Sequence, residues 1–294
     1  HASTREYFGS QFKTDLESEN LFGKIKKIEL YKSYSKDIEE KRHLIQKIEY
    51  TKFGSVILTE YFNDYGELSQ ITKNEFDKNK YLTKTSTIIN NIPQKITEVI
   101  INDSLKKQTI RNITVNDTLN YKFISNFDKT DRIIEQVRIE NNDTIVRNYK
   151  YKYDSKDRIV EEKETEIGSG MKNIISYKYD GNGNITEFMN NLDFITLKNE
   201  MIYKNKRLIR KTTHNISQDE KEHLERIINY NEYFNPIHEE IYENSKIVKE
   251  LKNKYEFDNN GNWIKKSVYL KENNTDSNKF VPIYIESREI EYWE

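Results

Sequence analysis

The chain has 294 residues, with 48 Lys and Arg against 49 Asp and Glu and a net charge of -1, so it lacks the basic surplus of a dedicated nucleic-acid binder. It holds no cysteine, which excludes disulfides, zinc–thiolate sites and a thiol nucleophile. One alanine (Ala2) against thirty-eight isoleucines and 21 tyrosines weights the chain toward strands, and no apolar run approaches the roughly 18 residues of a membrane-spanning helix.

Residues 1–20 begin with a polar stretch, His1 to Ser10, and read as a flexible N-terminus, a tag remnant or a mature end left by cleavage. Residues 21–294 read as a single β-hairpin repeat domain. Its first part, 21–60, keeps strand-like alternation (Ile25, Ile28, Leu30, then Ile45, Ile48, Tyr50) without the turn motif described next. It is read as a cap or as diverged repeats.

From residue 62 one motif returns: an aromatic, then Asp or Asn, two free positions, a turn residue, a polar residue, and an aliphatic. It reads Phe62-Asn63-Asp64-Tyr65-Gly66-Glu67-Leu68, then Phe127-Asp128 to Asp131-Arg132-Ile133, then Tyr153-Asp154 to Asp157-Arg158-Ile159. It continues as Tyr179-Asp180 to Gly183-Asn184-Ile185, as Tyr230-Asn231 to Phe234-Asn235-Pro236-Ile237, and as Phe257-Asp258 to Gly261-Asn262-Trp263-Ile264. The aromatics step by 26, 26, 51 and 27 residues from Phe127 onward, with a degenerate copy at Tyr203 inside the long step. Two strands and two turns fill about 25 residues, so one repeat is one hairpin.

The turn chemistry accounts for the motif. Asp or Asn opens the turn by accepting from the backbone two residues on, and Gly66, Gly183 and Gly261 supply the left-handed residue that closes it. Asp131 and Asp157 stand in for that glycine, which Asp tolerates; Phe234 implies a different or strained turn. Along the flanking strands Tyr149, Tyr151 and Tyr153 alternate with Lys150 and Lys152, and Ile175, Tyr177 and Tyr179 with Ser176 and Lys178. Period two means one buried and one wet face, and stacked copies predict an aromatic ladder. Ser217 to Ile228 reads as a hairpin tip in preference to a helix begun at Ser217 with Glu220 behind it.

Motifs that carry chemistry are sparse. The five histidines (His1, His43, His214, His223, His238) show no metalloprotease spacing, and His238-Glu239-Glu240 lies on a strand, where neighbours face opposite ways. Asp180 to Asn184 and Asp258 to Asn262 echo part of a calcium loop without its distal glutamate. No cofactor or metal is expected. Ser104, Thr118 and Thr144 each follow Asp and precede an aliphatic, the pattern of O-glycosylation in Bacteroidota; the same residues also make good turns.

The recurring Tyr-Asp-x-x-Gly core resembles the YD repeats of RHS-type proteins, whose hairpins build a long coiling antiparallel sheet. The series Tyr255 to Asp258, Gly261 to Lys266 and Arg288 to Trp293 is similar to the ends of uncharacterised secreted or surface proteins of the Bacteroidota. Glycine is often lost from the motif here, and there are too few repeats to wrap a closed shell around a toxin. The expected fold is therefore all-β, an elongated twisted antiparallel β-meander of about 26-residue hairpin repeats. The expected function is a non-enzymatic protein-interaction module of the periplasm, outer membrane or cell surface, binding another protein by its sheet edge or Tyr-rich face. No nucleic-acid partner is expected, and membrane contact only through a partner or a removed lipid anchor. Two alternatives stand beside it: an immunity protein that neutralises a toxin, which would be cytoplasmic, and a carbohydrate-binding or carbohydrate-active surface protein.

Overall fold

The computed structural model describes residues 15–18, 21–34, 42–80, 82–90, 94–140, 144–192, 195–217, 219, 221–272 and 279–294. Among the described residues a single helical turn, α1 (Asp15–Ser18), precedes twenty strands. These are β1 (Ile25–Tyr34), β2 (His43–Tyr50), β3 (Val56–Phe62), β4 (Leu68–Phe76), β5 (Leu82–Ile89), β6 (Gln94–Asp103), β7 (Gln108–Val115), β8 (Thr118–Phe127), β9 (Ile133–Glu140) and β10 (Thr144–Tyr153). They continue as β11 (Ile159–Glu166), β12 (Lys172–Tyr179), β13 (Ile185–Leu192), β14 (Ile195–Lys204), β15 (Arg207–Ile216), β16 (Glu222–Tyr230), β17 (Pro236–Glu243), β18 (Lys246–Phe257), β19 (Trp263–Glu272) and β20 (Val281–Tyr292). Between β15 and β16 the Ser217 N–H donates to the Lys221 carbonyl at 3.1 Å and Glu222 to Ile228 lie in β16, in keeping with the expected hairpin connection, while 218 and 220 lie outside the described residues.

Every strand pairs antiparallel with its sequence neighbours, and β1 also pairs with β20, from Ile25 opposite Tyr292 to Tyr34 opposite Tyr284. The sheet is thus a closed barrel. This corrects the expected elongated open meander, and it removes the sheet edge as a binding surface, because closure leaves no unpaired strand.

One local cause of the curl is visible at the turns. After each motif the aromatic pairs with the residue six positions on, while the residue before it pairs nine positions away, where a regular ladder would give eight. Tyr153 opposes Ile159, for example, whereas Lys152 opposes Glu161. That extra residue is a β-bulge, which bends the strand and raises its right-handed twist. A bulge repeated near one rim coils the sheet steadily, and twenty strands suffice to bring β20 back to β1.

Strand direction alternates, so successive connections fall on opposite rims. The turns opening at 51, 77, 103, 128, 154, 180, 205, 231 and 258 all lie on one rim, spaced 25 to 27 residues apart. The hairpin repeat therefore runs round the barrel and includes β2 to β7. Among the described turns, the copy at Asn63 sits on the opposite rim.

Register carries one face continuously around the sheet. This ladder face bears Ile28, Ile48, Tyr50, Tyr149, Tyr151, Tyr177, Tyr203, Tyr230 and Tyr255. The other face bears Lys47, Lys150, Lys178, Glu187, Lys252 and Glu289. Among the described strand residues that are buried, all but Ile227 lie on the ladder face. Side chains converge on the concave side of a closed sheet and splay on its convex side, so the ladder face is the inner wall.

A compact apolar core forms where the barrel closes. Leu16 and Leu21 of the N-terminal strap pack with Ile25, Ile28, Ile48 and Tyr50, and with Val56, Ile290 and Tyr292. Polar bonds fix the same strap. The Asp15 carboxylate accepts from the Val56 N–H at 2.7 Å. Asn262 accepts from the Phe22 N–H at 2.7 Å and donates to the Phe22 carbonyl at 2.7 Å and to Tyr292 Oη at 2.8 Å. The Tyr292 hydroxyl in turn donates to Asp258.

Candidate interaction surfaces

The repeat rim is built by the turn motif. In each full copy the leading carboxylate or amide accepts two backbone N–H groups. Asp154 Oδ1 accepts from Lys156 at 2.8 Å and Arg158 at 3.0 Å, and Asp180, Asn231 and Asp258 repeat this geometry. The fifth residue of the motif is left-handed throughout, with φ of 79° at Gly66, 87° at Gly183 and Gly261, 62° at Asp131, 60° at Asp157 and 62° at Phe234. Phe234 thus occupies the same turn in a strained conformation.

Two further copies escape the sequence pattern. Thr51 leads one, its N–H donating to the Ser55 carbonyl at 2.8 Å and its hydroxyl accepting from the Ser55 N–H at 3.1 Å. Asp77 leads the other, with Lys80 at φ 69°. Thr in place of Asp, and Lys in place of Gly, hid them; the 26-residue step from 51 to 77 is the signal that could have found them.

Neighbouring copies are stitched together. The Tyr153 hydroxyl donates to the Ile133 carbonyl at 2.7 Å and that of Tyr179 to the Ile159 carbonyl at 2.6 Å. Where the motif carries Phe257, Tyr255 takes over and donates to the Pro236 carbonyl at 2.9 Å. Arg132 is paired with Asp128 of its own turn and with Asp157 of the next, both at 2.6 Å, and lies over the Tyr153 ring. Arg158 repeats the intra-turn pair with Asp154 at 2.6 Å and lies over Tyr179. The Arg158 guanidinium and backbone hold the Asp154 carboxyl down at about 2. At Asp128 desolvation opposes ionisation, yet the bonds from Arg132 and Thr130 outweigh it and the carboxyl lies well below its ordinary range.

The inner wall is aromatic and internally ion-paired. Arg111 is bonded to Glu98, Arg147 to Glu164 at 2.6 Å, Arg226 to Glu239 at 2.6 Å, and Lys266 to Glu286 at 3.0 Å. Glu162 and Glu164, on alternate positions of β11, meet Tyr177 at 2.8 Å and Tyr149 at 3.2 Å. Burial and the bond to Glu162 push the Tyr177 phenol up. Charged side chains therefore stand at mid-strand on both faces, so neither offers the apolar band of about 25 Å that a transmembrane barrel turns to lipid.

The remaining predicted positions are dispersed. Ser104 is exposed in the β6–β7 turn on the repeat rim, and Thr118 is exposed at the start of β8 on the opposite rim. Thr144 begins β10; its side chain and Asp143 lie outside the described residues, as do His1, Ala2 and Glu220. His238 is on the outer face, 3.3 Å from Glu250 and 3.7 Å from Glu240, whereas Glu239 is buried inside. Among the described residues no group of three or more His, Asp or Glu side chains could hold a metal ion. The Asp180 and Asp258 oxygens are taken up within their own turns and at the strap.

Several solved structures are similar to this chain at low sequence identity. A porin-like protein from Bacteroides uniformis is 13% identical, with a TM-score of 0.40 over 91% of this chain and 98% of its own. A porin-like protein from Bacteroides vulgatus is 10% identical, with a TM-score of 0.31 over 90% and 97%. The TcdB2-TccC3-Cdc42 structure is 13% identical, with a TM-score of 0.34 over 82% of this chain and 18% of that one. No curated protein matches the chain in sequence. The model of the Teneurin YD-shell family matches residues 4–208, more than two thirds of the 294, and the chain belongs to that family.

Proposed function

We propose that this protein is a non-enzymatic shell module of the cell envelope or surface that holds a partner polypeptide against its Tyr-rich inner wall. The observation that carries the reading is closure. With every strand paired on both sides, a partner cannot add a strand at an edge, and the surfaces left are the wall and the rims. A closed sheet of twenty strands about 4.8 Å apart has a perimeter on the order of 100 Å or more, wider than side chains alone fill. Tyrosine suits such a wall, because it presents flat area at low entropic cost together with a polar tip. The exposed Ser104 and Thr118, in the Asp-Ser/Thr-aliphatic pattern, support export.

A carbohydrate ligand is the second reading. Glu162 and Glu164 share the concave wall with Tyr149 and Tyr177, an arrangement of paired carboxylates and aromatic rings that suits a sugar.

The test is affinity isolation of the tagged protein from its host, with cell fractionation and intact mass. A stoichiometric partner in the envelope fraction, lost when Tyr149 and Tyr177 are changed to Ser, supports the proposal. A cytosolic protein of unmodified mass bound to a toxin domain overturns it in favour of an immunity role. Isolation without a protein partner, but with retention on an immobilised glycan, overturns it in favour of the carbohydrate reading.

A further inference from the structure

Not every cation of the inner wall is ion-paired. Lys211 lies on β15 with its side chain on the ladder face, between Met201 on β14 and Ile228 on β16. It is half-buried, its ammonium stands 5.8 Å from the Phe188 ring centre, and among the described residues no carboxylate lies within salt-bridge distance of it. Arg226, one rung farther from the repeat rim on the adjacent strand, has the side chain half exposed to the interior while one nitrogen holds Glu239. Tyr203 and Tyr230 stand one rung nearer the rim on the two flanking strands.

Two cations side by side repel each other, and burial makes the charge on Lys211 costlier still. Its ammonium is driven to a lower pKa by desolvation and by Arg226. Arg111, Arg147 and Lys266 on this wall each meet the same cost with a glutamate; among the described residues none lies within salt-bridge distance of Lys211. A guanidinium with free donors beside an ammonium, roofed by tyrosines and floored by a phenyl ring, is the chemistry that receives an oxyanion on a flat organic body.

We propose that Lys211 and Arg226 form an oxyanion-binding site on the inner wall, taking a carboxylate or phosphate group from a ligand that lies against Phe188, Tyr203 and Tyr230. The site stands apart from the reading of the wall as a protein-binding surface, since it requires only a small anion.

The probe is pyridoxal 5′-phosphate, which carries a phosphate and an aldehyde on one aromatic ring. A neutral lysine amine attacks the aldehyde carbon, water leaves, and an imine forms; borohydride then delivers hydride to the imine carbon and fixes a secondary amine. Peptide mapping by mass spectrometry reads the rate at every lysine of the intact chain. A site of this kind labels Lys211 about tenfold faster at pH 7.5 than outer-face lysines such as Lys150 and Lys252, because Arg226 holds the probe's phosphate and so keeps the aldehyde beside the amine. Pyridoxal without the phosphate loses that preference. Inorganic phosphate and benzoate are competed separately, and protection by one or the other assigns the site to a phosphate or a carboxylate. R226Q weakens the protection, and K211M removes the modified peptide while circular dichroism stays that of the barrel. Uniform labelling of all lysines, an unreactive Lys211, or labelling indifferent to both anions overturns the proposal. None of these outcomes depends on whether a polypeptide binds the wall.

Discussion

At Asp154 one carboxylate serves three purposes: it closes the turn through two backbone N–H groups, anchors Arg158, and fixes the guanidinium over Tyr179. Its folded pKa of about 2 lies below the ordinary carboxylate value of about 4, so its stabilisation is whole above about pH 4 and disappears as the pH falls through about 2. Asp154→Asn should keep the turn, as Asn63 and Asn231 do, but remove that acid sensitivity; Asp154→Ala should lower the melting temperature at pH 7 more than Asn does. Equal loss from both variants would mean that the ion pair, not the turn, holds this rim. Phe234 presents the opposite case. A bulky residue at φ 62° carries about 1–2 kcal/mol of backbone strain, which Asn tolerates better. Phe234→Asn should therefore raise the melting temperature by about 2 °C. A fall would show that the partly buried Phe234 ring contributes more than the strain costs.

Between elements, each tyrosine hydroxyl that reaches the preceding hairpin's carbonyl makes neighbouring repeats one cooperative unit. Removing one leaves a carbonyl short of a donor. Tyr179→Phe should cost about 1 kcal/mol in chemical denaturation, with faster amide exchange localised to β11 and β12. Exchange rising evenly around the barrel would contradict the stitched-repeat account. The bulge beside each copy of the turn motif belongs to this scale too. It shifts register at each copy, yet the inward face is preserved on both sides, because the turn and the bulge recur together.

Over the whole molecule the seam decides whether the sheet is a shell. Asn262 is 2% exposed and bonds to both backbone groups of Phe22 and to Tyr292, tying the strap to β20 and to the last repeat turn. Asn262→Ala strands those groups and should cost about 3 kcal/mol, with early protease cuts and exchange confined to β1 and β20. Loss spread over all strands would place the closing energy elsewhere. The charged side chains on both faces give a second expectation: the purified chain should remain monodisperse without detergent and float with no liposome fraction. Detergent dependence would refute that placement of the charges.

The sequence by itself determined the strand-rich class, the hairpin as the repeating unit and the turn chemistry at Asp128, Asp154, Asp180 and Asp258, because these are written in local patterns of two to seven residues. The same locality hid the copies led by Thr51 and Asp77, where a substitution preserves the backbone geometry but not the letters. Only the tertiary structure decided that the sheet closes. Closure joins Ile25 to Tyr292 across nearly the whole chain and depends on twist summed over twenty strands, a quantity no short window holds. The pairing around the ring likewise decided which cations of the inner wall received a carboxylate and left Lys211 without one among the described residues, since residues such as Arg147 and Glu164 meet only through the register of β10 on β11.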